Sequence, residues 1–262
     1  MFLAPALAFF LAFWLLPMVR LLRVSAEGGF IRTYGAILSH PRYLASLLNT
    51  VLLSGAVTVA TLVLATVVGL TLAARTFPGR TLLLSLLTFP LVFPGVVVGF
   101  MVIMLAGRQG LVGTIGLALT GQRWVFAYSI SGLFLGYLYF SLPRVIVSVM
   151  AAAEKLDPSL PEAARALGAS PWHILRDIVL PALGPALGAA GALCFATSMG
   201  AFGTAFTLST EIDVLPMTIY TAFTLNADMA GAAAPSVVLG AVAWSVLALS
   251  RRGRAQAVAA AA

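Results

Sequence analysis

"SLPEAARALGASPWHILRDIVLP", residues 159–181, carries Glu162, Arg165, Arg176, Asp177 and His173 in a chain that is 61% hydrophobic and only 9% charged. Such a polar stretch is either a solvated connector or a folded element, and its local signals favour the second. Ser159 followed three residues later by Glu162 has the form of a capping box, with Pro161 tolerated in the first turn. The spacing predicts a two-turn helix starting at Ser159, with Leu160, Ala163, Ala164 and Leu167 in one apolar stripe and Gly168 as its stop. Ser170 and Pro171 suit the N-cap and first position of a second helix through Trp172, Ile174, Leu175 and Ile178, which Pro181 ends or bends. A helix of two turns is marginal in water, so something outside it must hold it.

The surrounding chain is far more apolar. A mean hydropathy of +1.06 lies outside the range of a soluble globular domain and makes this a membrane protein. Six intervals lack Asp, Glu, Lys and Arg: 1–19, 43–74, 81–107, 124–143, 178–210 and 229–250. Each is long enough to span, since a helix crosses the hydrocarbon in roughly 20 residues, and no alternating strand pattern suggests a barrel. The fold class is therefore an all-α membrane protein with six transmembrane helices in a single domain, residues 1–262. The first interval reads as a retained span and not as a cleaved signal. It has no basic residue before Arg20, and Trp14 and Pro17 stand where small cleavage-site residues belong.

Orientation follows the basic residues. With a cytoplasmic N-terminus, nine lie inside (Arg75, Arg80, Arg144, Lys155, Arg165, Arg176, Arg251, Arg252, Arg254) and six outside (Arg20, Arg23, Arg32, Arg42, Arg108, Arg123). Both termini and residues 159–181 are then cytoplasmic, while Glu211, Asp213 and Asp228 fall in the last outside loop. The formal charge of +7 reads as topology and contact with anionic headgroups, not as nucleic-acid binding.

Searches for chemistry exclude more than they find. There is no GxxxxGK[ST], and the one lysine, Lys155, lies in no glycine-rich loop, so the chain does not cradle nucleotide phosphates. His40 and His173 are far apart and HExxH is absent, which disfavours a metal site. The single cysteine, Cys194, excludes an intrachain disulfide and reads as a small core residue. No enzyme activity and no cofactor are expected. Ion-coupled carriers place ionisable residues inside their spans; the six intervals contain none, which disfavours secondary transport. The intervals do carry GxxxG pairs for close helix contact: Gly95 and Gly99, Gly132 and Gly136, Gly184 and Gly188. Pro90, Pro94, Pro181 and Pro185 suggest breaks near helix ends. Tyr137, Tyr139, Ser141, Thr197 and Ser198 are candidate pore-lining groups, or else interhelical hydrogen-bonding ones.

Glu162-Ala163-Ala164, Gly168 three residues on, Ile178 nine further, then Leu180-Pro181 resembles the EAA loop, EAA-x3-G-x9-I-x-LP, of permease subunits of binding-protein-dependent ABC importers, which have the six-helix MetI-like fold. Every fixed position matches, between the fourth and fifth spans, on the side that the charges make cytoplasmic. The resemblance covers about Tyr43 to Ser250. It implies a permease of the bacterial inner membrane that pairs with a second permease subunit, identical or homologous, around a translocation path. It further implies an ABC ATPase dimer below and an extracytoplasmic solute-binding protein outside, with no nucleic acid involved. Within the coupling loop, residues 151–181, Glu162, Ala163, Ala164, Leu167 and Gly168 would engage the ATPase. The short N-terminus, with no cytoplasmic lead before the first span, departs from the family. The first outside loop and "LPMTIYTAF" are similar to permeases of the polyamine, ferric iron and phosphonate branch, so the solute is expected to be small and polar or charged. The alternative is an ion-coupled secondary transporter or channel acting without an ATPase.

Overall fold

The computed structural model describes residues 3–208 and 213–261, and no strand occurs among the described residues. In chain order the helices are α1 (Ala4–Ala26), α2 (Phe30–Ser39), α3 (Pro41–Ala74), α4 (Arg80–Thr88), α5 (Gly95–Ala106), α6 (Leu111–Thr120), α7 (Ile130–Ala153), α8 (Ser159–Ala166), α9 (Pro171–Met199), α10 (Phe202–Leu208), α11 (Leu215–Tyr220) and α12 (Met229–Ala261). Six segments are long and apolar enough to cross a membrane: α1, α3, the pair α5–α6, α7, α9 and Met229–Arg251 of α12.

The spans run past the charge-free intervals, α1 taking in Arg20 and Arg23 and α3 Arg42, and three differ more widely. The interval 81–107 is divided, because a tight turn over Phe89–Val92 and an extended Phe93 and Pro94 separate α4 from α5; the span is Gly95–Thr120, with Arg108 in its central break. The fourth span is not 124–143 but Ile130–Ala153, which takes in Arg144. The fifth begins at Pro171 and includes Arg176 and Asp177. Ionisable residues thus do occur within spanning helices, contrary to the sequence expectation. Charge counting trims a helix at its first polar residue, whereas backbone hydrogen bonding continues the helix until a breaker stops it.

Proline acts by distortion where a break was expected. Pro181 does not end the second loop helix, since α9 runs on to Met199. A π turn over Leu175–Val179 precedes it, with Leu180 N–H donating to the Leu175 carbonyl. Pro17 in α1 repeats the arrangement: a π turn over Leu11–Leu15, with Leu16 N–H donating to Leu11. A proline ring has no N–H and clashes with the carbonyl four residues back, and the wider turn relieves that crowding. Pro185 also lies inside α9 without breaking it.

The chain divides into two compact units, with α3 and α12 contributing to both. In the unit formed by the first 52 residues and 213–243, one face of α3 is polar. Arg42 donates twice to the Asp213 carboxylate at 3.2 Å, and Asn49 donates to the Asp213 carbonyl. Ser46 and Thr218 share a buried hydroxyl bond of 2.7 Å, and Thr50 Oγ1 accepts the Leu215 N–H that opens α11. Residues 42, 46, 49 and 50 have helical spacing, so one stripe fixes the 213–218 segment. Interhelical side-chain bonds in membranes average only about 0.6 kcal/mol; their effect here is chiefly to set register.

In the unit formed by residues 53–208 and the chain from Trp244 on, glycines set the close approaches. A Cβ on Gly99 would meet Thr207 Cβ at 2.7 Å, and one on Gly136 would meet Thr204 Cγ2 at 2.7 Å. Helices α5 and α10 therefore pack almost backbone to backbone, and α7 closes on the Thr204 side chain. The pair Gly184 and Gly188 behaves differently, since a Cβ there meets nothing within 4 Å, and it makes no close contact in this chain. Gly99→Ala is expected to destabilise the protein by about 1–3 kcal/mol through overpacking, while Gly188→Ala leaves it unchanged. The thermal midpoints of the two detergent-solubilised variants check this.

Candidate functional site

Two places concentrate polar groups: the 159–181 loop and a cleft beside α7. In the loop, Ser159 is the first residue of α8 and not its cap. Pro158 occupies the cap position, and the donor at the helix start, Ser159 N–H, is taken by Asp157 Oδ1 at 2.9 Å. The expected Ser159–Glu162 capping box is therefore replaced by an aspartate two residues upstream. Hydrogen bonds from the Ser159 backbone and side chain hold the Asp157 carboxyl below its ordinary range.

The end of α8 is the stop that the sequence indicates. Gly168 has φ +84, Gly168 N–H donates to Arg165, and Ala169 N–H donates to Ala164. These two bonds are the Schellman pattern, and the left-handed residue it needs is glycine. Ser170 then caps α9: its hydroxyl accepts from His173 N–H and lies 2.7 Å from His173 Nδ1, with Pro171 in the first turn. Glu162 and Ala163 are exposed and Ala164 is half-buried. Leu160 is 57% exposed, Leu167 89% and Trp172 62%. α8 is thus folded and held at both ends, with its large apolar residues exposed.

The loop is also anchored at its start. Arg80 donates to Glu154, which caps the end of α7, at 2.7 Å, and to the Leu72 carbonyl near the end of α3 at 3.0 Å. One guanidinium thus ties two helix ends to the α4 start.

The cleft has a volume of about 350 Å³. Two interruptions of helical backbone border it, one at Phe93–Pro94 and one at Gly200–Ala201, with Phe140, Arg144 and Thr197 on its wall. Hydroxyls from neighbouring helices bond the backbone beside both breaks: Thr204 Oγ1 donates to the Gly95 carbonyl and Tyr137 OH donates to the Ala201 carbonyl. Of the candidate pore-lining residues, Thr197 is half-buried and on this wall, with its hydroxyl donating back to its own helix. Tyr137 is 2% exposed and serves the α9–α10 break. Ser141 and Ser198 are buried with no hydrogen-bond partner for either hydroxyl. Tyr139 is 40% exposed and does not border the cleft. Arg144 was read from sequence as a loop charge; the apolar Val145, Ile146 and Val149 beyond it were the signal that the helix continues. Among the described residues no His, Cys, Asp and Glu cluster could hold a metal ion.

Residues 65–255 match the family described as "Binding-protein-dependent transport system inner membrane component". The chain is similar to the molybdenum transport system permease protein ModB of Escherichia coli K12, 34% identical over 67% of this chain and 77% of that protein. It is also similar to the putative 2-aminoethylphosphonate transport system permease protein PhnU of Salmonella typhi, 28% identical over 93% of this chain and 88% of the relative. In fold it resembles a chain of a bacterial alginate ABC transporter solved with its alginate pentasaccharide-bound periplasmic protein. The TM-score is 0.83 at 19% identity, covering 97% of this chain and 93% of that one.

Asp157 makes the order of α8 depend on pH. Its carboxyl is depressed in the folded loop, so the stabilisation is present above the ordinary carboxylate range and is lost as pH falls through the lowered value. A spin label at position 160 is expected to gain mobility in Asp157→Ala at neutral pH. In the unmodified chain the same gain is expected only once the pH drops below the ordinary carboxylate range, as read by electron paramagnetic resonance.

Proposed function

The chain belongs to the family of binding-protein-dependent transport system inner membrane components, the permease subunits of ABC importers, and on that premise we propose that it forms half of a translocation path and takes its power stroke through α8. The whole chain then works as one permease domain. It pairs with a second permease, identical or homologous, and an ATPase dimer seats Glu162, Ala163, Ala164, Leu167 and Gly168 in a groove. A solute-binding protein docks on the opposite face, and both termini and the 159–181 loop are cytoplasmic. Of the residues assigned to the outer face, Arg32 and Arg108 are described, and Glu211 lies outside the described residues. Family membership removes the ground for the alternative of an ion-coupled carrier or channel.

The observation that carries this reading is a preformed short helix, held at both ends, whose large apolar residues Leu160 and Leu167 are exposed. Preformation lowers the ordering cost of docking, and alanines let a partner's backbone come close. The solute we assign is a small oxyanion. Molybdenum in water is carried as the tetrahedral molybdate ion, and a phosphonate carries three oxygens on a tetrahedral phosphorus, so both relatives point to a tetrahedral oxyanion. Neither supports the polyamine or ferric iron expectation.

Ala164→Arg places a bulky charge on the half-buried small-residue face of α8, and Gly168→Val forces a β-branched residue into the left-handed region. Both variants are expected to insert in the membrane yet lose uptake about tenfold or more, and Ala164→Arg should also release the ATPase on purification, an interface loss of at least about 1.4 kcal/mol. Arg165→Ala, exposed and unpaired with any carboxylate among the described residues, should retain most activity. Solute uptake and ATPase co-purification, measured together, decide the matter. Full retention of both by Ala164→Arg would remove α8 as the docking element.

A further inference from the structure

Arg144 lies nine residues before the end of α7 and fourteen after its start, roughly 14 Å and 21 Å along the helix at 1.5 Å per residue. A cation that far inside a spanning helix is costly and usually serves a pathway. The carboxylates paired with arginine in this chain are Asp213, Glu154 and Asp177, and none is paired with Arg144 among the described residues. Among the described residues no acidic one borders the cleft that Arg144 faces. The nearby Gly95 and Ala201 carbonyls already accept from Thr204 and Tyr137. Non-helical backbone at membrane depth is tolerated where it is buried in protein or lines a watery cavity. Two such interruptions meet at this cleft.

We propose that Arg144 is a specificity-determining contact in the permease itself, and that the cleft between the Phe93–Pro94 and Gly200–Ala201 breaks is a transient subsite for a tetrahedral oxyanion. This rests on the oxyanion reading above and adds that selection is not left wholly to the binding protein. The cleft volume of about 350 Å³ equals about a dozen waters at their liquid share of about 30 Å³ each. A small oxyanion fits with part of its hydration shell. Guanidinium offers a rigid fork of donors matched to such an anion and keeps its charge at any working pH. The aromatic walls of Phe93, Phe140 and Phe202 lower the local dielectric and strengthen that attraction. With no carboxylate among the described residues to offset Arg144, the same cleft repels polyamines and metal cations.

The test uses vesicles holding the complete transporter with its ATPase and binding protein. Molybdate, sulfate and 2-aminoethylphosphonate serve as anion probes and putrescine as the cation probe. If the unmodified transporter accumulates putrescine and none of the three anions, the oxyanion reading itself fails. If it takes up an anion, Arg144→Gln is expected to lower the maximal rate, with loaded binding protein saturating, by about tenfold or more, equivalent to about 1.4 kcal/mol or more. Arg144→Lys, which keeps the charge, should recover a large part of it. Equilibrium binding of the same radiolabelled anion to the purified permease–ATPase complex, without binding protein, should be salt-sensitive and lost in Arg144→Gln. Both variants must co-purify with the ATPase, and if Arg144→Gln does not assemble, Arg144→Lys against the unmodified chain carries the binding measurement through a weakened affinity. Unchanged uptake in an assembled Arg144→Gln transporter overturns the subsite. So does native mass spectrometry showing that Arg144 retains a phospholipid headgroup while no anion probe binds.

Discussion

A break between helices inside hydrocarbon must be packed and hydrogen-bonded by neighbouring helices, and the organisation of the central unit follows from how this chain meets that demand. The helices open at Phe93–Pro94 and at Gly200–Ala201, and at both places a hydroxyl from a neighbouring helix closes the gap: Thr204 to Gly95, Tyr137 to Ala201. For those hydroxyls to reach, α5 and α10 must come nearly into backbone contact and α7 must close on the Thr204 side chain, which the absent side chains of Gly99 and Gly136 permit. The hydrogen bonds, the glycines and the breaks are therefore one requirement. Removing any part leaves either a clash or an unsatisfied polar group, each worth a few kcal/mol in lipid.

The same arrangement gives α7 its position between two tasks. One stretch of it borders the cleft through Phe140 and Arg144. Nine residues on, its end is capped by Glu154 and held by Arg80, and the loop carrying α8 begins. A continuous helix transmits displacement along its axis with little loss, so in the proposed mechanism a partner acting on α8 reaches the cleft through α7 and through α9. The π turns before Pro17 and Pro181 fit this economy of interruption. Where a helix must stay continuous the chain widens a turn, and where it must open a cavity the helix stops.

Much of the loop was legible in the sequence because its signals are local. Gly168 as a left-handed stop and Ser170 with Pro171 as a start depend on backbone preferences within four residues, and both stand in the structure. The capping box failed for an equally local reason: Asp157 sits one turn position earlier and captures the Ser159 N–H first. Spans were recognised in number but not in extent. Hydropathy reports which residues tolerate lipid, whereas the ends of α7 and α9 are set by where hydrogen bonding stops.

Composition, spacing and short-range propensity thus determined the class of protein, the six crossings, the family and the existence of a folded loop helix, since each depends on residues near one another in sequence. Tertiary structure alone decided that Gly99 and Gly136 make close contacts while Gly184 and Gly188 do not, because only a partner helix can crowd a missing side chain. It alone placed Tyr137 beneath a backbone break. It also moved Arg144 from a loop into a cleft without a counterion, for the charge on a side chain is written in the sequence but the surroundings that give it meaning come from helices up to fifty residues away or more.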